Sequence, residues 1–245
     1  ARTMPAGGEL PVEKGPRRVL YMHGLESGPR GIKVRWLSAR YEAVLAPDMQ
    51  TSMWDLAAPN SFARCALRTL ATSLPWNAPA YALVDNLERC LQVQAEAIRA
   101  FKPDVVVASS WGAAVAQLAL ARGVWRGPTV LMCPALGKGL SAVGAIAPDW
   151  QFDTLCAQIR AQLTSAERAR ILVVHGDADD VVPIDLSRRF ARIAGVDLVE
   201  VARGGHKLGE LLRTHEHAWA KGLPEGPLLT DLIERVTADV WSEVG

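Results

Sequence analysis

The sequence predicts an α/β architecture, a mostly parallel central sheet flanked by helices on both faces. Two observations predict it. Short runs of β-branched and aliphatic residues alternate with longer helical patterns, the order in which strands and crossover helices build a parallel sheet. The run from Asp104 to Ala108 (DVVVA) is apolar after its first residue, as a strand covered on both faces must be. At 245 residues the chain suffices for one large α/β domain with a substantial core.

The elements follow in order. Residues 18–22 (RVLYM) read as the first strand, followed by a Gly-rich loop and a helical stretch over 32–40. Residues 43–46 form a second strand, ended by Pro47. An amphipathic helix spans about 84–101, with Leu87, Leu91, Ala95 and Ile98 on one face. The strand at 104–108 gives way to residues 112–121, dense in good helix formers. Further strands lie at 128–132, 170–174 and 197–201, with helices at 184–193 and near 228–241.

Two segments, 48–81 and 135–163, are longer than ordinary connections. They carry Trp54, Phe62 and Trp76, and Trp150 and Phe152. They read either as extra surface packing or as a small lid. Residues 1–18, rich in Gly, Pro and charge, read as a flexible leader without the apolar core of a secretory signal, and 19–245 as a single domain.

Lys+Arg 27 against Asp+Glu 26 leaves a net charge of +1, so no concentrated basic surface for nucleic acid is signalled. No apolar run is long enough to span a bilayer. Cys65, Cys90, Cys133 and Cys156 are scattered and form no CxxC pair, which suits a reducing, cytoplasmic setting. Nothing in the sequence specifies an oligomeric state.

The chemistry is concentrated where strands end. Between the buried strand and the small-residue helix lies Ala108-Ser109-Ser110-Trp111-Gly112. A nucleophile elbow needs strand, tight turn and helix in that order, with small residues two before and two after the nucleophile. Centred on Ser110, those positions are Ala108 and Gly112; centred on Ser109, they are Val107 and Trp111, which a sharp turn cannot accept. The register selects Ser110. The turn aims the backbone N–H of Trp111 at a developing oxyanion, beside the positive end of the helix. A Ser-rich strand-to-helix turn is the plainer reading of these residues alone.

Other strand ends supply partners. Residues 175–183 (HGDADDVVP) place Asp177, Asp179 and Asp180 just past a strand, where one carboxylate can orient an imidazole or, more plainly, cap the next helix. His206 follows Gly204 and Gly205 after the last strand, and a neutral imidazole is the usual base for a serine hydroxyl. The loop after the first strand, from His23 to Gly28, stands where a second oxyanion donor belongs, with the Leu25 N–H as the candidate. His23 reads as a structural hydrogen-bonding residue. The order Ser, Asp, His along the chain is that of the α/β-hydrolase fold.

Together these motifs resemble the α/β-hydrolase superfamily over roughly Val19 to Leu212. The HG-x-x-S opening at His23 is similar to that of the small bacterial YqiA-like esterases. The superfamily's H-G-x-x-D-x-x-V-P pattern implies Asp179 as the acid, with Asp177 and Asp180 as neighbours. Two departures are plain: Ala108 replaces the first Gly of G-x-S-x-G, and the insertion after Asp48 is longer than those esterases lead one to expect.

The implied function is hydrolysis of a small-molecule carboxylic ester or thioester by Ser110, His206 and Asp179, with Leu25 and Trp111 as the oxyanion hole. It requires no metal and no organic cofactor. Acyl transfer, C–C bond cleavage or peptide hydrolysis by the same residues, and a non-catalytic ligand-binding role, stay open. His215 and His217 point apart at helical spacing with no third ligand, so no metal is expected there. Arg30 and Lys33 form a solvated helix face or attract an anionic substrate. Cys133 follows a strand near the expected pocket, without a nucleophilic role.

Overall fold

The computed structural model describes residues 16–70, 78–141, 148–213 and 226–238. Six strands form one sheet: β1 (Arg18–Met22), β2 (Ala43–Leu45), β3 (Val105–Ser109), β4 (Thr129–Met132), β5 (Ile171–Gly176) and β6 (Asp197–Val201). Their order is β2-β1-β3-β4-β5-β6, and every neighbouring pair is parallel. From β1 the chain moves outward to β2, then returns past β1 to β3. Crossovers therefore diverge between β1 and β3, opening a crevice at the carboxyl ends of those strands.

The described helices are α1 (Ile32–Ser38), α2 (Phe62–Leu70), α3 (Ala78–Phe101), α4 (Trp111–Ala121), α5 (Leu136–Leu140), α6 (Phe152–Gln162), α7 (Ser165–Ala169), α8 (Ile184–Ala194) and α9 (Leu229–Thr237). Alternation along a strand sends successive side chains to opposite layers. Val106, Ala108, Leu131 and Val173 pack with α3, α4, α6 and α8. Val105, Val107, Val130 and Val174 pack with Val34 and Leu37 of α1 and Leu229, Leu232, Ile233 and Val236 of α9. All residues of α4 are buried, which accounts for a helical sequence with no charged face.

Expected and observed elements differ mainly at their ends. The long helix α3 begins at Ala78, before the expected 84, because Ala80, Ala82 and Leu83 extend its buried face. Strand β5 runs on to Gly176, since His175 and Gly176 stay in register with Glu200 and Val201 of β6. The C-terminal helix, expected over 228–241, spans Leu229–Thr237, and residues 239–245 lie outside those described.

The two long segments contain helices of their own. The first provides α2, with Cys65 buried, while Trp76 falls outside the described residues. The second provides α5, a 3-10 turn at Pro148–Trp150, and α6, whose Leu155, Cys156 and Ile159 are buried in the same core as α4 and α8. Among the described residues no helix is long and apolar enough to cross a membrane.

Candidate active site

Ser110 occupies the single-residue bend between β3 and α4, with φ 55° and ψ −113°. A non-glycine residue there is strained by on the order of 1–3 kcal/mol, so the surroundings must hold it. Its N–H donates to the Met132 carbonyl at 2.8 Å, and its carbonyl accepts from Ala114 and Ala135. The bend also brings the start of α4 against the end of β1. A Cβ on Gly112 would stand 2.1 Å from the Met22 carbonyl oxygen, so only glycine fits. The side chain of Ser109 points to the other layer and is hydrogen-bonded to the buried Tyr21 phenol.

The other two residues arrive on loops stitched to each other. Asp177 N–H donates to Val201 O, Ala178 N–H to Gly204 O, and Arg203 N–H to Asp177 Oδ1 at 2.5 Å. Gly176 and Gly204 touch so closely that a Cβ on Gly176 would lie 2.0 Å from the Gly204 oxygen. This contact sets His206 beside Asp179. His206 Nδ1 is 2.8 Å from Asp179 Oδ2, and its Nε2 is 2.9 Å from Ser110 Oγ. The carboxylate can only accept, so the proton sits on Nδ1 and Nε2 accepts from the serine hydroxyl. Serine and base are 96 residues apart in the chain.

The environment is graded from dry to wet. The Asp179 side chain is 0% exposed and that of His206 17%, so the carboxylate is sealed while the imidazole meets solvent. Burial opposes ionisation of Asp179, yet donated hydrogen bonds hold its carboxyl below the usual carboxylate range. Oδ1 accepts the N–H groups of Val181 and Val182, both at 2.8 Å, and Oδ2 accepts His206. Asp179 is therefore the carboxylate of the Asp-rich loop that meets the imidazole, while Asp177 ties the two loops together and Asp180 is exposed.

On the opposite side of Ser110 runs the loop after β1. A Cβ on Gly24 would come within 3.8 Å of Ser110 Oγ, so this loop passes close to the hydroxyl. The Trp111 N–H is the first of α4 and has no intrahelical acceptor. Buried His23 donates from Nδ1 to Gly24 O at 3.0 Å and accepts the Met49 N–H at Nε2 at 3.1 Å, tying this loop to the segment after β2. Glu26 does the same by accepting from Ser52 Oγ and Met53 N.

Three features escaped sequence reasoning. Buried Asn86 of α3 accepts from the Trp111 indole N–H at 2.8 Å and donates to Thr51 Oγ1 at 2.9 Å, locking the elbow to the 48–81 segment. The Trp111 ring meets Phe62 edge-on at 5.1 Å. His175 approaches Asp179 Oδ2 at 3.1 Å from behind. No local pattern marks Asn86, whereas His175 stands four residues before the acid.

Cys133, His175 and Asp179 offer metal-ligand atoms within 4.8 Å of one another. Burial pushes the Cys133 thiol well above its ordinary pKa, and the thiol is hydrogen-bonded to Asp179. A protonated thiol and an imidazole N–H aimed at one carboxylate form a hydrogen-bonded cluster, not a set of free lone pairs. Lys33 is half-buried, and burial, helped by Lys207 and opposed by Cys133 and Glu210, holds its ammonium below the usual lysine value, whereas Arg30 is exposed. His215 and His217 lie outside the described residues.

Solved structures share this arrangement of strands and helices. A protein of Thermus thermophilus, TT1662, is 17% identical, with 94% of this chain and 91% of that chain covered and a TM-score of 0.56. The ydeN gene product of B. subtilis is 16% identical over 91% of this chain and 99% of that chain, with a TM-score of 0.53. A candidate hydrolase of the alpha/beta superfamily from Xanthomonas campestris pv. campestris is 21% identical over 94% and 98%, with a TM-score of 0.50. No family model matches the sequence, and no curated protein matches it. The likeness is one of fold, and the fold is that of the α/β-hydrolases.

Proposed function

We propose that this chain, built on the α/β-hydrolase fold, is a serine hydrolase that cleaves a carboxylic ester or thioester through an acyl-enzyme on Ser110. The observation that carries the reading is the continuous contact Ser110 Oγ–His206 Nε2 at 2.9 Å and His206 Nδ1–Asp179 Oδ2 at 2.8 Å, with the serine on a strained bend. Strain of this kind persists where a function needs it.

In the proposed reaction Ser110 Oγ bonds to the acyl carbon as its proton passes to His206 Nε2. The carbonyl oxygen takes up the negative charge and is met by the N–H groups of Trp111 and Leu25. The bond from carbon to the leaving oxygen or sulfur then breaks, and His206 returns its proton to that atom. A water molecule, deprotonated by the same imidazole, attacks the acyl-serine, and the carboxylic acid leaves with Ser110 restored. Asp179 stays ionised throughout and steadies the imidazolium. The 17% exposure of His206 suits the step that requires water.

Steady-state hydrolysis of a panel of nitrophenyl esters and acyl thioesters tests this reading. The wild-type chain is expected to turn over members of both sets. Ser110→Ala and His206→Ala are each expected to lose on the order of 10⁶-fold in kcat. Equal residual rates in wild type and Ser110→Ala contradict the reading.

A further inference from the structure

His175 is fully buried, at the penultimate position of β5, where a residue needed only for packing has no reason to be polar. Val173, two residues earlier on the same strand face, is the aliphatic residue expected there. The imidazole is instead held at both nitrogens. Nδ1 lies 2.7 Å from Ser187 Oγ on α8. Nε2 lies 3.0 Å from the Val182 carbonyl and 3.1 Å from Asp179 Oδ2. Both neighbours of Nε2 can only accept, so Nε2 carries the proton and Nδ1 accepts from the Ser187 hydroxyl. Burial keeps this ring below the ordinary histidine pKa, which makes it a neutral donor at neutral pH.

Oδ2 of Asp179 thus lies between two imidazole nitrogens, His206 Nδ1 in front at 2.8 Å and His175 Nε2 behind at 3.1 Å. A carboxylate oxygen that accepts a second hydrogen bond gives up part of its charge to it and binds the first donor less strongly. We propose that His175 is a positioning residue for the Ser110–His206–Asp179 relay: its Nε2–H fixes the direction of Asp179 Oδ2 and moderates the hold of that oxygen on the His206 ring.

This inference rests on the serine-hydrolase reading for its purpose, though the coupling between the two rings does not depend on turnover. The charged and titratable groups around His175 are few. Asp179 lies on its own loop, His206 on the loop after β6, and Cys133, after β4, reaches the same carboxylate. Glu200 of β6 is opposite in register but is paired with Arg188 of α8 at 2.6 Å, and Lys33 of α1 lies beyond Cys133.

The test is an NMR titration of the His206 ring in the full chain, in wild type, His175→Phe and His175→Gln. Phenylalanine keeps a ring in place without the N–H, while the glutamine amide restores an N–H near the same point. The His206 midpoint is expected to rise by about half a unit or more in His175→Phe and to return most of the way in His175→Gln. The acid limb of the kcat/KM–pH profile is expected to move with it, with KM within about two-fold of wild type.

An unmoved His206 midpoint in a folded His175→Phe chain, or one shifted equally in both variants, overturns the inference. Should His175→Phe fail to fold, His175→Leu replaces it, since an aliphatic side chain like that of Val173 on the same strand face brings no N–H donor. The same upward shift is then expected, and its absence overturns the inference. A wild-type chain without ester or thioester turnover sinks the hydrolase reading instead, and the NMR midpoints still judge the coupling.

Discussion

At the scale of single residues, the site depends on one dry carboxylate holding one partly wet imidazole. Asp179→Asn keeps the shape but offers His206 Nδ1 an amide in place of an anion, and kcat is expected to fall by about 10⁴-fold. A loss below ten-fold contradicts the role given to the acid. The same residues set the stability at low pH. Burial lowers the folded pKa of His175 below its unfolded value of about 6.5, so its contribution is present above that pH and is lost as pH falls below it. Asp179 is buried too, but its hydrogen bonds depress its folded pKa below about 3.9, so its contribution disappears only in stronger acid. The urea midpoint is therefore expected to decline from about pH 6.5 downward and more steeply below about pH 4. A flat midpoint from pH 7 to pH 5 contradicts the His175 part of this account.

At the scale of elements, the elbow stands because α4 can press on β1 and because Trp111 is anchored to α3. Gly112→Ala puts a methyl group 2.1 Å from a backbone oxygen that cannot yield cheaply. It is expected to lower stability by about 1–3 kcal/mol or more and to abolish turnover, as read by urea unfolding and ester hydrolysis. Asn86→Leu leaves the buried Trp111 indole N–H without its acceptor and is expected to cost about 1–3 kcal/mol. An Asn86→Leu chain as stable as wild type contradicts the anchoring role. The elbow was readable in the sequence because a turn that sharp restricts residue size at fixed offsets, Ala108 and Gly112. The strands were readable because burial on both faces leaves few polar positions. Helices α2, α5, α6 and α7 were not, lying in or beside long irregular segments held by side-chain to backbone hydrogen bonds such as Asn60 Nδ2 to Met49 O and Ala57 N to Asp55 Oδ1. The contacts of Asn86 join distant parts of the chain, and no local pattern encodes them, whereas His175 meets Asp179 and Val182 within its own H-G-x-x-D-x-x-V-P stretch.

At the scale of the whole molecule, a parallel sheet gathers the ends of β1, β3, β5 and β6 at one rim, so residues spread from Gly24 to His206 can meet at one crevice. The described part of the 48–81 segment is tied to the loop after β1 and to α3 through His23, Glu26 and Asn86, and exposes Met53, Trp54 and Leu56. These exposed apolar side chains are expected to favour medium acyl chains over acetyl, and a nitrophenyl ester series peaking at acetate contradicts it. Labelling of the folded chain with a fluorophosphonate, followed by peptide mapping, tests the central assignment most directly. A single phosphonylated residue, Ser110, is expected, with labelling suppressed in His206→Ala and absent after unfolding. Labelling at another residue, or none at Ser110 in the folded wild-type chain, contradicts it.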